Sequence, residues 1–115
     1  MDTLLAELKE YGADVDGAMG RFLDDTDLYK TCFTIFLEDK SFEKLGEAIV
    51  NTDYDKIFEY AHTLKGVAGN MGITPIYTVL CKLVDALRNK DYSCLQSDYA
   101  EILSQFNTLK EMQCS

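Results

Sequence analysis

Residues 53–72 read DYDKIFEYAHTLKGVAGNMG, and their spacing decides the fold. Each residue of an α-helix turns about 100° from the last. On that rotation Ile57, Ala61, Leu64, Ala68 and Met71 fall on one stripe, the mark of a helix with a single core face. The pattern predicts a helix from about Asp53 to Met71. The same rotation carries His62, the only histidine in the chain, roughly 140° away from the middle of that stripe, toward solvent. One turn away on its face stand Phe58, Glu59, Lys65 and Gly66, with Gly69 two turns on. A glycine inside a helix costs about 1 kcal/mol relative to alanine, so Gly66, Gly69 and Gly72 call for a reason. Gly72 reads most simply as a left-handed residue closing the helix. Gly66 and Gly69 leave bare backbone beside the imidazole, where a bulky partner can come close.

Working outward, the rest of the chain is also helical. Leu4, Leu5 and Leu8 mark a short helix over about Thr3–Glu10, ended near Gly12. Asp14 or Asp16 caps a second, with Val15, Met19, Phe22 and Leu23. Asp25 or Thr26 opens a third, whose Leu28, Cys32, Ile35 and Phe36 share a stripe. Ser41 opens a fourth, with Phe42, Leu45, Ile49 and Val50 inward. After the 53–71 helix, Thr74 before Pro75 suits an N-cap followed by proline at the first helical position, and Ile76, Leu80, Leu83 and Leu87 carry a helix to about Asn89. Ser93 and Gln96 have the spacing of a capping box ahead of a last helix containing Leu95, Tyr99, Ile102, Leu103, Phe106 and Leu109. Amphipathic helices with short connections make an antiparallel bundle. The expectation is therefore all-α: a four-helix bundle, with segments 25–38, 53–71, 74–89 and 93–112 long enough to form it and the shorter helices packed at one end.

The bulk numbers agree and exclude several functions. A chain of 115 residues, 47% hydrophobic, has the size of one domain with a real core, expected to span 1–115. Its net charge of −9 repels phosphate backbones, so neither nucleic acid nor an anionic membrane is an expected partner. No apolar run nears the roughly 20 residues of a bilayer span, and the acidic, amphipathic start is not a signal peptide. Cys32, Cys81, Cys94 and Cys114 form no C-x-x-C pair, and with one histidine a zinc site is hard to assemble. Reduced cysteines in the cytoplasm are the simpler reading. Asp24, Asp25 and Asp27 are the densest acidic group, but they sit where carboxylates favour a helix start, so no metal or cofactor is expected. The absence of a G-x-x-x-x-G-K-[ST] loop rules against self-phosphorylation from ATP.

Imidazole is a capable nucleophile near neutral pH, and a phosphoryl group on one of its nitrogens is stabilised by a nearby ammonium such as that of Lys65. The stretch His62-Thr63-Leu64-Lys65-Gly66-Val67-Ala68-Gly69-Asn70-Met71-Gly72 resembles the H-x-L-K-G-x-x-x-x-x-G signature of histidine-containing phosphotransfer (HPt) domains of bacterial phosphorelays. The likeness extends to Gly12–Asp16, Arg21-Phe22, Tyr29, the Phe36-Leu37 region and Ala61. It implies a phosphorelay intermediate without kinase activity of its own. His62 would be the phosphoacceptor, and Lys65 would hold the phosphoryl group or steer the partner. Gly66 would open space for the partner's loops, and Gly69 would extend the open face. Arg88 matches a position where some members place a second cation. The implied partners are a response-regulator receiver domain, which supplies Mg²⁺ and an aspartate, and a sensor histidine kinase; the chain is expected to be a monomer. Some members carry a Gln or Glu near position 84 that hydrogen-bonds the imidazole. Here it is Val84, so Asp85, backbone or water must take that role. The alternative is a helical module that docks a receiver or kinase without carrying phosphate, as a stand-alone chain or a piece of a larger hybrid kinase. In either case Phe58 and Glu59, one turn before the histidine, are expected to contact the partner, unless the Phe58 ring folds back to the core.

Overall fold

The computed structural model describes residues 3–114, with side chains through Met112. These residues form seven helices and no strand: α1 (Thr3–Tyr11), α2 (Val15–Arg21), α3 (Thr26–Glu38), α4 (Ser41–Val50), α5 (Tyr54–Asn70), α6 (Thr74–Arg88) and α7 (Leu95–Cys114). Three starts are set by aspartate caps. Asp14, Asp25 and Asp53 accept from the backbone N–H of Gly17, Leu28 and Lys56 at 3.1, 3.0 and 3.3 Å, each satisfying a donor that the helix itself leaves unpaired. Two starts differ from expectation. α6 is capped by Ile73 without a side-chain bond, and Thr74 lies within its first turn, its hydroxyl donating back to the Gly72 carbonyl at 3.3 Å. Ser93 forms no box with Gln96. Its hydroxyl and backbone N–H both donate to Asp91 Oδ1, at 2.7 and 3.1 Å, and these bonds hold the Asp91 carboxyl below its ordinary range.

The α5 stripe is buried as read: Ile57, Ala61, Leu64, Ala68 and Met71 all face the core. α5 packs most extensively against α4 and α6, and α7 closes on α6 with lighter contacts to α1, α3 and α4. The four most closely packed helices are thus α4 to α7. The ten-residue α4, expected at one end, runs beside α5, while the longer α3 lies against α7. Gly46 admits α7 here, since any Cβ on it would collide with the Tyr99 hydroxyl, which donates to the Phe42 carbonyl at 3.3 Å. Phe42 then stacks on Phe106 at 3.9 Å and meets Phe36 edge-on at 5.3 Å, tying α3, α4 and α7 together.

Several apolar residues read as inward are not. α3 is rotated relative to the expected stripe. It buries Tyr29, Phe33, Phe36 and Leu37, leaving Leu28 and Ile35 exposed and Cys32 half-buried. The aromatic rings bury more area than Leu28 or Ile35 could, and they win the face. Val50, at the end of α4, is exposed. Leu23 lies beyond α2, in a turn where it and Asp24 both take positive φ, and is also exposed. Conversely, α7 buries a charge. Asp98 is 4% exposed and meets Lys82 Nζ of α6 at 3.4 Å, its Oδ2 having no hydrogen-bond partner.

The turn between α5 and α6 is where the N-terminal helices fix the fold. Gly72 has φ +68, the left-handed closure expected of it. Its carbonyl accepts from the Asp14 N–H at 2.7 Å. A Cβ on it would strike the Asp14 carbonyl oxygen. One residue earlier, the buried Tyr29 hydroxyl donates to the Met71 carbonyl at 2.7 Å. Burial pushes that hydroxyl up to about 12, with the Arg21 charge pulling it the other way.

Two measurements check this clamp. Gly72→Ala combines a left-handed backbone with a collision and should lower stability by about 2 kcal/mol or more in urea titrations. For Tyr29 the folded state holds its proton more tightly than the unfolded chain, whose tyrosines titrate near 10. Its contribution is therefore complete below about pH 10 and lost as pH rises toward 12. Tyr29→Phe should cost about 1 kcal/mol at pH 7 and show a smaller alkaline loss than wild type. Some loss should remain, because burial also raises Tyr11 and Tyr99.

Candidate functional site

Because the opposite stripe of α5 is sealed in the core, His62 is exposed in the middle of the helix. An open groove of about 530 Å³ runs beside it, lined by Asp14 and Arg21 from the N-terminal segment, His62, Lys65, Gly66, Gly69 and Asn70 from α5, and Tyr77 from α6. Lys65 is half-buried along this groove, with no carboxylate partner among the described residues. The two glycines beside the histidine have different causes. A Cβ on Gly66 would meet nothing within 4 Å, so packing does not require glycine there. A Cβ on Gly69 would lie 2.9 Å from Tyr77 Cε1. Gly69 is half-buried under that ring, and its missing side chain makes room within the monomer itself. The Tyr77 hydroxyl is raised above its ordinary range, chiefly by its hydrogen bond with Cys81.

The imidazole has one ring neighbour. Phe58, one turn earlier, lies 5.7 Å away between centroids with planes 26° apart. Phe58 is half-buried against the core, so it serves packing and the histidine's face together. Among the described residues no group hydrogen-bonds the imidazole. Val84 is fully buried, and Asp85 is exposed with its carboxylate 3.9 Å from Arg88 Nη1, so Asp85 does not supply the missing acceptor. Arg88 itself does not line the groove. Its guanidinium carbon stands 5.7 Å from the Phe58 centroid. Glu59 is exposed, and its backbone carbonyl accepts the Thr63 hydroxyl at 3.0 Å.

Arg21 is a part of the groove that sequence spacing does not single out. Its Nε donates to the Asn70 carbonyl at 2.9 Å and its Nη2 to the Gly69 carbonyl at 3.1 Å. These carbonyls lie in the last turn of α5, where intrahelical partners run out; that of Gly69 also accepts the Gly72 N–H at 3.2 Å. A cation at a helix C-terminus also meets the negative end of the dipole. Arg21 thus fixes the end of α5 two turns from His62. Nothing local in the sequence links it to residues almost fifty positions later; the Arg21-Phe22 pair is its only signal there.

An exposed nucleophile on a rigid helix, a free ammonium one turn on, and an unoccupied flank at Gly66 make a surface that can take up a charged group from another macromolecule. The model of the Hpt domain family matches residues 2–112. The chain belongs to the Hpt domain family. No curated protein and no solved structure matches it. As an Hpt domain it is suited to a role in a phosphorelay, and membership implies interaction with receiver or kinase domains. Among the described residues of this Hpt domain, no helix is long and apolar enough to cross a membrane, and no three His, Cys, Asp or Glu side chains are grouped to hold a metal ion.

Replacing Arg21 with Gln should remove its two bonds to the last carbonyls of α5. Faster amide hydrogen exchange is expected at Met71 to Ile73, with a stability loss of about 1–2 kcal/mol. Protection unchanged from wild type would show that the guanidinium does not secure this helix end.

Proposed function

We propose that the protein carries a phosphoryl group on His62 between receiver-domain aspartates. The observation that supports this most directly is the open space at Gly66. The helix tolerates an unfavourable residue where its own packing gains nothing, on the flank that a partner must approach to reach the imidazole. In the forward step, an imidazole nitrogen, taken as Nε2, attacks the phosphorus of a receiver phospho-aspartate. A P–N bond forms, the P–O bond to the carboxyl breaks, and the carboxylate leaves with the bonding pair. The proton on Nδ1 stays in place. Reversal of the same step onto a second aspartate regenerates the free histidine.

Phosphoryl transfer depends mainly on positioning and on stabilising charge. The receiver brings Mg²⁺ with its aspartate. This domain brings the imidazole, the rigid helix beneath it, and the Lys65 ammonium as counter-charge to the phosphoryl oxygens. On a chain of net charge −9, Lys65 and Arg21 make the groove locally less repulsive to an anionic group. Arg88, held beside Phe58, adds a third cation near this face without lining the groove. Phe58 and Glu59 would meet the partner at the other flank of the histidine.

The test is label transfer from a phosphorylated receiver, followed by stability of the label to base and its loss in acid. Wild type should acquire such label and His62→Gln none. Lys65→Ala should slow transfer by about tenfold, the scale of one charge-assisted contact. Gly66→Gln should slow transfer strongly yet raise the urea midpoint modestly, since it replaces a helix glycine where no atom is in the way. Receiver binding without any label on wild type would instead identify a docking module.

A further inference from the structure

We infer that Phe58 is the positioning residue for the His62 imidazole, taking by stacking the orienting role for which no described residue supplies a hydrogen bond. The inference rests on the phosphotransfer reading above and deepens it. A nucleophilic ring must present one nitrogen along the line of attack, and on an exposed helix face its χ angles are otherwise free. At the α6 position where the resemblance expects an orienting group, Val84 is apolar and fully buried and offers the ring no hydrogen bond. Asp85 turns to Arg88 instead. The group placed against the imidazole is the Phe58 ring, 5.7 Å away and 26° from parallel, within the range where aromatic pairs attract in an offset stack.

Phe58 can orient another ring because it is itself held. It is half-buried against the hydrophobic core. The Arg88 guanidinium, at 5.7 Å from its centroid, lies within reach of a cation–π contact. Arg88 in turn is tethered at 3.9 Å by Asp85, one turn back on α6. The order of support therefore runs from α6 through Arg88 and Phe58 to His62. This gives Arg88 a part in the site without any contact with the phosphoryl group.

The experiment compares wild type, Phe58→Leu, Phe58→Tyr and Arg88→Met. In the unphosphorylated wild type, NMR should show nuclear Overhauser contacts between the Phe58 ring protons and those of the imidazole. Phe58→Leu should lose the ring-current shift of the imidazole protons and slow transfer from a phosphorylated receiver by about tenfold, as expected for a misaligned nucleophile. Phe58→Tyr should restore both. Arg88→Met, which leaves the half-buried ring in place, should give a smaller change of the same sign and guards against Phe58→Leu acting through unfolding. Absence of ring-to-ring contacts in wild type would overturn the proposal. So would a Phe58→Leu protein that transfers within about twofold of wild type. Absence of label on wild type would overturn the phosphotransfer reading instead, leaving the stacking result readable on its own.

Discussion

A bundle helix can seat only one of its faces, and α5 seats its face between α4 and α6. Everything at the site follows from that constraint. The stripe from Ile57 to Met71 is sealed in the core, which turns His62 outward and fixes its direction to within the play of one side chain. The far end of α5 is then held by three groups from the N-terminal third of the chain. The Asp14 N–H binds Gly72, the Tyr29 hydroxyl binds Met71, and the Arg21 guanidinium binds Gly69 and Asn70. The short N-terminal helices are therefore part of what makes the nucleophile's support stiff. On the proposed reading, a stiff support keeps the imidazole aligned against thermal motion, and alignment supplies much of the rate in phosphoryl transfer.

Much of this was legible in the sequence because it depends on local spacing. The helical period located every helix, and the α5 stripe matched the buried set residue for residue. Aspartates ahead of apolar runs marked three helix starts, because the cap is a contact between residues three apart. What failed was competition between faces. In α3, Leu28–Cys32–Ile35 and Tyr29–Phe33–Leu37 are both helical stripes, and only the volume available against α7 and the bundle decides which turns in. Likewise length favoured α3 over α4 as a bundle member, whereas Gly46 and Tyr99, residues with no link in sequence, let α4 lie close. At the site, His62, Lys65 and Gly66 were readable from one turn of helix. Arg21 and Tyr77 were not, since their roles arise from contacts across the fold. Nor could spacing tell that Gly66 and Gly69 are glycines for different reasons. Asp98 did leave a trace, standing on the same inward stripe as Leu95, Ile102 and Leu109, but a carboxylate there gives no hint that Lys82 will meet it.

The bare flank at Gly66 has a consequence for how complexes form and part. Long side chains at a contact must be frozen when a partner arrives, and each one immobilised weakens association. Backbone without a side chain carries no such rotamers, and only hydration water has to leave it. On the proposed reading, a visiting surface can settle on this patch without freezing side chains there, so little of the contact energy is lost to ordering. Such a patch asks a partner only for a matching shape, so partners of differing side-chain composition can share it.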